Sequence, residues 1–185
     1  MQPKTIVGTR LTACSTALAI VSAVFVGISP AQAYVSNRCK WGSQPIKVDT
    51  RYVNGNFYTA IKQAIANYDS ATDISMTYVD ASGPGFAARN ASYGATGWEG
   101  NTTWNCVLKK FYSADAKLNM YYLPGTSTTD VERLRVVWLH ELGHGLSLGH
   151  VANNTAVMYT SASQAYFNGV RYLTSDEIAG INSVY

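Results

Sequence analysis

The stretch Thr129–His150, TDVERLRVVWLHELGHGLSLGH, decides how this chain is read. Thr129-Asp130-Val131-Glu132 has capping-box spacing, with Thr129 at the N-cap and Glu132 reaching back to its amide. Val131, Leu134, Val136, Val137, Trp138, Leu139, Leu142 and Leu146 then spread around most of a helix, which predicts a deeply buried one. Inside it His140 and His144 stand four apart, so both imidazoles share one helical face and reach one metal ion. Glu141 projects roughly 100 degrees round the helix from His140, beside such a metal and outside its ligand set. From there it can take a proton from a metal-bound water as general base. His150 is the simplest third ligand, and three protein ligands with an open fourth position describe a catalytic zinc. All three histidines of the chain fall between positions 140 and 150, which leaves none for a second histidine-bound zinc.

Upstream, Ile46, Val48 and Thr50 alternate after Pro45 and predict a first strand. Phe57, Ile61, Ala64, Ile65 and Tyr68 follow helical spacing, predicting an amphipathic helix over 57–70. Ile74, Met76 and Tyr78 predict a second strand, Gly83-Pro84-Gly85 a loop, and residues 86–93 a further strand. Gly94 to Asn105, rich in Gly, Thr and Asn, reads as loop. Leu118, Met120 and Tyr122 alternate in a strand that ends at Pro124-Gly125. Downstream, a second capping box, Thr174-Ser175-Asp176-Glu177, opens a short terminal helix through Ile178, Ile181 and Val184. Strands and helices without regular alternation make the class α+β.

Residues 1–33 read as a signal peptide. Lys4 and Arg10 precede an apolar run from Leu11 to Ile28, and Ala31-Gln32-Ala33 is an A-x-A cleavage site. The expected mature domain is 34–185: secreted, with no membrane segment once the signal is removed. Two of the 14 basic residues leave with the signal, so the net charge falls to about +1, and no clustered basic face points to nucleic acid. Cys14 leaves too, and the remaining pair, Cys39 and Cys106, suits one disulfide in an exported chain.

His140 through His150 resembles the extended zinc motif of metzincins, especially matrixins. Ala156-Val157-Met158-Tyr159 looks like the family's Met-turn, and Leu173 to Ile178 is similar to the segment that opens the matrixin terminal helix. These specific matches cover 129–185, while 34–128 agree only in coarse organisation. The resemblance implies a single metzincin-like catalytic domain. It would hold a twisted, mainly parallel or mixed sheet, two long helices including the active-site helix, the Met-turn and a short C-terminal helix. It further implies a monomeric endopeptidase acting on polypeptides with one catalytic Zn2+, through a zinc-bound water activated by Glu141. Met158 would form a hydrophobic base below the metal. Tyr159 and Tyr166 would line the substrate pocket, with ordinary core aromatics as the alternative for Tyr166 and Phe167.

Ser147 departs from the family pattern, which places Gly there for a sharp turn toward the third histidine. A serine at positive φ costs about 1–2 kcal/mol. Either Ser147 adopts that conformation, or the turn is spread over Gly145 and Gly149. Calcium stays open, since Asp80 and Glu99 are the only carboxylates between residues 80 and 105. Three alternatives are carried forward. Glu177 could replace His150 as third ligand, the zinc could be structural in a binding protein, or Cys39 could be an inhibitory thiolate ligand.

Overall fold

Ile46, Val48 and Thr50 bury one face of strand β1 (Ile46–Tyr52), as their alternation predicts. The computed structural model describes residues 37–185. The expected signal segment and its cleavage point lie outside the described residues. After β1 come α1 (Gly55–Ala71), β2 (Met76–Val79), β3 (Phe86–Ala91), β4 (Gly100–Val107) and β5 (Lys110–Asn119). Then follow α2 (Asp130–His144), α3 (Ala162–Phe167) and α4 (Ser175–Asn182). The strands form one sheet in the order β2-β1-β3-β5-β4. All neighbours are parallel except β4, which runs antiparallel to β5. The fold is α+β with a mixed, mainly parallel sheet, as expected.

Helix α1 buries Phe57, Ala60, Ile61, Ala64, Ile65 and Tyr68, the periodic face read from the sequence. Each such side chain of Val, Leu, Ile or Phe size contributes about 1.5–3 kcal/mol by leaving water. Helix α2 is buried on every side from Leu134 to Gly143. Two polar bonds set its depth against α1. The Tyr68 hydroxyl donates to the Leu139 carbonyl at 2.7 Å, and Trp138 Nε1 donates to the Phe57 carbonyl at 3.1 Å. A phenol and an indole N–H are tolerated inside a core only when so paired. Both bonds fall within two residues of His140, so the interhelical register fixes where the imidazoles sit.

Three local expectations are corrected. Gly94–Asn105 is not all loop, because β4 begins at Gly100. Only Thr102 of that strand is buried, so no apolar periodicity marks it. Its ladder with β5, from Gly100 opposite Leu118 to Val107 opposite Lys110, creates it. Leu108 and Lys109, both at positive φ, close the hairpin.

The strand expected at 118–122 is instead the end of β5. Asn119 stops it: its carbonyl accepts from Tyr122 N and Leu123 N, and its side chain accepts from Tyr93 N and Tyr121 N. The capping box at Thr129–Glu132 does not form. Thr129 is already helical, at φ −68° and ψ −22°, and makes no cap bond. One half of such a pairing is found three residues apart at Ser127 and Asp130, where Ser127 N donates to Asp130 Oδ2 at 3.0 Å, while Asp130 N donates to the Ser127 main-chain carbonyl. Glu132 pairs with Arg171 instead, at 3.3 Å. The second box, Thr174–Glu177, is present.

A disulfide joins Cys39, on the segment before β1, to Cys106 on β4, with Cα atoms 6.3 Å apart. Among the described residues no helix is long and apolar enough to cross a membrane.

Candidate metal centre and cleft

The buried stretch of α2 delivers His140 and His144 to one spot. His140 Nδ1 lies 2.8 Å from the Val157 carbonyl and His144 Nδ1 2.9 Å from the Leu148 carbonyl. A carbonyl can only accept, so both Nδ1 atoms carry the proton and both Nε2 atoms present a lone pair. His140 Nε2 stands 3.1 Å from His144 Nε2 and 3.2 Å from His150 Nε2. Burial pushes the His140 imidazole down to about 3 and His144 to about 4, and lowers His150 as well. All three are therefore neutral near pH 7, the form that binds a metal.

Two lone pairs facing each other at this distance repel unless a cation lies between them. A tetrahedral zinc with Zn–N bonds of about 2.0–2.1 Å holds its nitrogens about 3.3–3.4 Å apart. The three donors, all within 4.8 Å of one another, fit that ion.

Between the second and third imidazoles the chain must leave the helix sharply. Leu146 N and Leu148 N both donate to the Gly143 carbonyl, and Ser147 N donates to that of His144. Ser147 takes the turn itself, at φ +80°. Gly145 remains right-handed at φ −67°, and its lack of a side chain serves packing, since a Cβ there would run into the Phe86 ring.

Below the helix, Met158 is fully buried, and a Cβ on Gly143 would come within 2.7 Å of its Sδ. The Met158 carbonyl accepts from Val151 N at 2.9 Å, which ties this turn to the residue after His150.

Glu141 points the other way, toward β4. Thr102 Oγ1 lies 2.7 Å from Glu141 Oε2, and the carboxylate sits directly over Gly100, where a Cβ would collide with it. Burial raises the carboxyl to about 8, with the Thr102 hydrogen bond opposing that rise. A dication at the imidazoles would act with Thr102 and lower it again. The composition of β4 gave no hint of this contact. Gly100 and Thr102 lie in the stretch read as loop, and only the strand brings them to α2.

The three imidazoles and Glu141 open into a cavity of about 880 Å³. β4 forms one wall through Gly100, Thr102 and Trp104, and Thr160–Ala162 forms another. Tyr159 and Tyr166 do not line it. Tyr159 packs half-buried on the core, and Tyr166 lies under the Arg171 guanidinium, 4.0 Å from its ring centre. Helix α3, absent from the sequence reading, turns the chain so that its N-terminal residues face the cleft and Tyr166 does not.

Two alternative ligands are consumed elsewhere. Glu177 accepts from Met158 N through Oε1 and from Thr174 N through Oε2, completing the α4 cap. Cys39 is in the disulfide and so offers no thiolate. The two carboxylates considered for calcium are also engaged. Asp80 accepts from Thr50 and Tyr58, and Glu99 from Ser163 and Arg133.

An α+β domain that presents three converging imidazoles from a buried helix and the turn after it belongs to the metzincin-like zinc metallopeptidases. The family model for matrixin matches residues 50–185, and the chain is a member of that family. No curated protein matches it.

Proposed function

We propose that this chain is a secreted zinc endopeptidase in which His140, His144 and His150 hold one zinc ion and Glu141 is the general base. One observation carries the reading. Two imidazoles with their protons committed to carbonyls face each other and a third through Nε2 at 3.1–3.2 Å, in a cleft that also contains a buried carboxylate. When bound, the zinc supplies Lewis acidity toward the scissile carbonyl and an attacking water.

Everything else is the chain's own work. Thr102 occupies Glu141 Oε2, so Oε1 is the oxygen that takes the water proton. The same oxygen passes that proton to the amine nitrogen as it leaves, which restores the carboxylate. β4 is the last strand of the sheet on its side and also borders the cavity. Its outer N–H and C=O groups are suited to pair with an extended polypeptide and align it across the imidazoles. A structural zinc has no use for a carboxylate placed in the cleft beside an open coordination position.

The deciding experiment is Glu141→Gln, with zinc content and hydrolysis of an unfolded protein measured together. Glutamine keeps the shape and cannot accept the proton, so activity falls by about 10²–10⁴-fold or more while about one zinc per chain is retained. Full activity, or loss of the zinc, would overturn the assignment of roles. Export is tested by N-terminal sequencing of secreted material, with a start at or near Tyr34 expected.

A further inference from the structure

We infer that Ser147 is a positioning residue for the third ligand: its buried hydroxyl, held by the disulfide-pinned segment Asn37–Trp41, keeps in place the left-handed turn that presents His150. The inference rests on the reading that the three imidazoles hold a metal.

Serine at φ +80° is strained where glycine would not be, so something in the surroundings must hold the turn. The hydroxyl supplies it. Ser147 is fully buried, and Oγ lies 2.5 Å from both the Cys39 carbonyl and Asn37 Oδ1, so one proton serves two acceptors. Glycine could make neither contact. Two residues back, Trp41 Nε1 donates to the Gly145 carbonyl at 3.0 Å. The same segment therefore grips the turn at two points, three and five residues before His150.

The segment is itself firmly held. Cys39 is bonded to Cys106 on β4, and Lys40 forms a bridge with Lys110 at the start of β5. The Trp41 indole stacks on Phe86 and Phe111, with ring centres 5.4 and 5.3 Å away. The Cys39 carbonyl accepts from Ser147 while its sulfur is bonded to Cys106 on β4, so the cross-link joins the turn's clamp to the strand that walls the cleft. Ser147 and the disulfide then act on His150 through one path.

The test uses the zinc-loaded mature protein and reads zinc release into an excess of chromogenic chelator, at neutral pH and well below the melting temperature. Ser147→Ala keeps the strained backbone and loses the hydroxyl, so zinc should leave about ten- to a hundredfold faster, with KM and the turnover per bound zinc close to wild type. Cys39→Ala/Cys106→Ala should shift release in the same direction. Adding Ser147→Ala to that pair should change it further by much less than it changes wild type, because both act through one strap. Should Ser147→Ala not fold, Trp41→Phe removes only the grip on Gly145 and should still release zinc faster than wild type, while Ser147→Gly, which holds a positive φ without the hydroxyl, should release it more slowly than Ser147→Ala. A wild-type release rate in Ser147→Ala or, where that variant does not fold, in Trp41→Phe, or effects that multiply fully with the disulfide change, would overturn the inference. A wild-type chain that binds no zinc would instead overturn the metal reading beneath it.

Discussion

Thr102 Oγ1 on β4 and Glu141 Oε2 on α2 lie 2.7 Å apart, and both residues are less than a tenth exposed. The hydroxyl also lies 2.9 Å from the Glu141 main-chain carbonyl, so an edge strand and a core helix are joined at the carboxylate. A carboxylate rotates freely unless one oxygen is held. Here Thr102 holds Oε2, while Oε1 lies against Gly100 of the same strand.

Thr102→Val keeps the volume and removes the donor. The buried carboxylate loses its hydrogen bond and its fixed rotamer, and a charge-assisted bond of this kind contributes about 1.5–3 kcal/mol. Turnover should fall about tenfold or more while zinc content stays at wild type, and Thr102→Ser should recover most of it. Steady-state kinetics beside metal analysis decide the matter, and an unaffected Thr102→Val enzyme would mean that Glu141 needs no such support.

Gly100→Ala probes the same contact from the other side. A Cβ there would fall inside the Glu141 carboxylate, so either the strand or the side chain must shift. A displacement of about 1 Å at a catalytic group can cost about 10²-fold. The expected result is a large loss of turnover with the disulfide, the fold and the zinc intact, read by circular dichroism, metal analysis and peptide hydrolysis. Normal turnover would show that β4 yields there at no cost.

Acid should destabilise the metal-free protein through the imidazoles. Burial lowers His140 to about 3 and His144 to about 4 when folded, while unfolded they titrate near 6.5. Between those values the unfolded imidazoles bind more protons than the folded ones, so their contribution is fully present above about 6.5 and is lost as the pH drops toward 4. The Glu141 carboxyl, raised from 4.5 to about 8, acts in the opposite direction and offsets one imidazole between 4.5 and about 6.5. The slope is at most about 1.4 kcal/mol per pH unit for each imidazole. Urea unfolding of chelator-treated protein from neutral to mildly acid pH measures it. A His140→Gln/His144→Gln variant should show a flatter acid limb, and equal slopes would place the acid sensitivity elsewhere.

The Cys39–Cys106 bond closes a loop with a sequence separation of 67. In the chain-entropy model such a loop is worth about 4 kcal/mol. Cys39→Ala/Cys106→Ala should therefore lower the unfolding free energy by up to about that amount, measured by denaturant titration. Non-reducing peptide mapping of the wild type should find the two peptides linked, and two alkylatable thiols in the denatured protein would refute the bond.

The Met158 turn was legible through the resemblance to matrixins, whereas local spacing alone determined the ligand helix, the histidines at 140, 144 and 150, the α4 cap and the buried face of α1. Each of the latter depends on residues within a turn or two of one another, where the 3.6-residue period and capping chemistry act directly. What tertiary structure decided is of another kind. β4 has almost no apolar alternation, and its pairing with β5 brings Gly100 and Thr102 to Glu141 from some forty residues away. Tyr166 reads as a pocket residue until α3 turns it onto Arg171. Whether Ser147 or a neighbouring glycine would take the positive φ was open in the sequence. It closes on Ser147 because its acceptors, at Asn37 and Cys39, lie more than one hundred residues earlier in the chain. Contacts of that range are set by sheet order and a disulfide, and no local pattern encodes them.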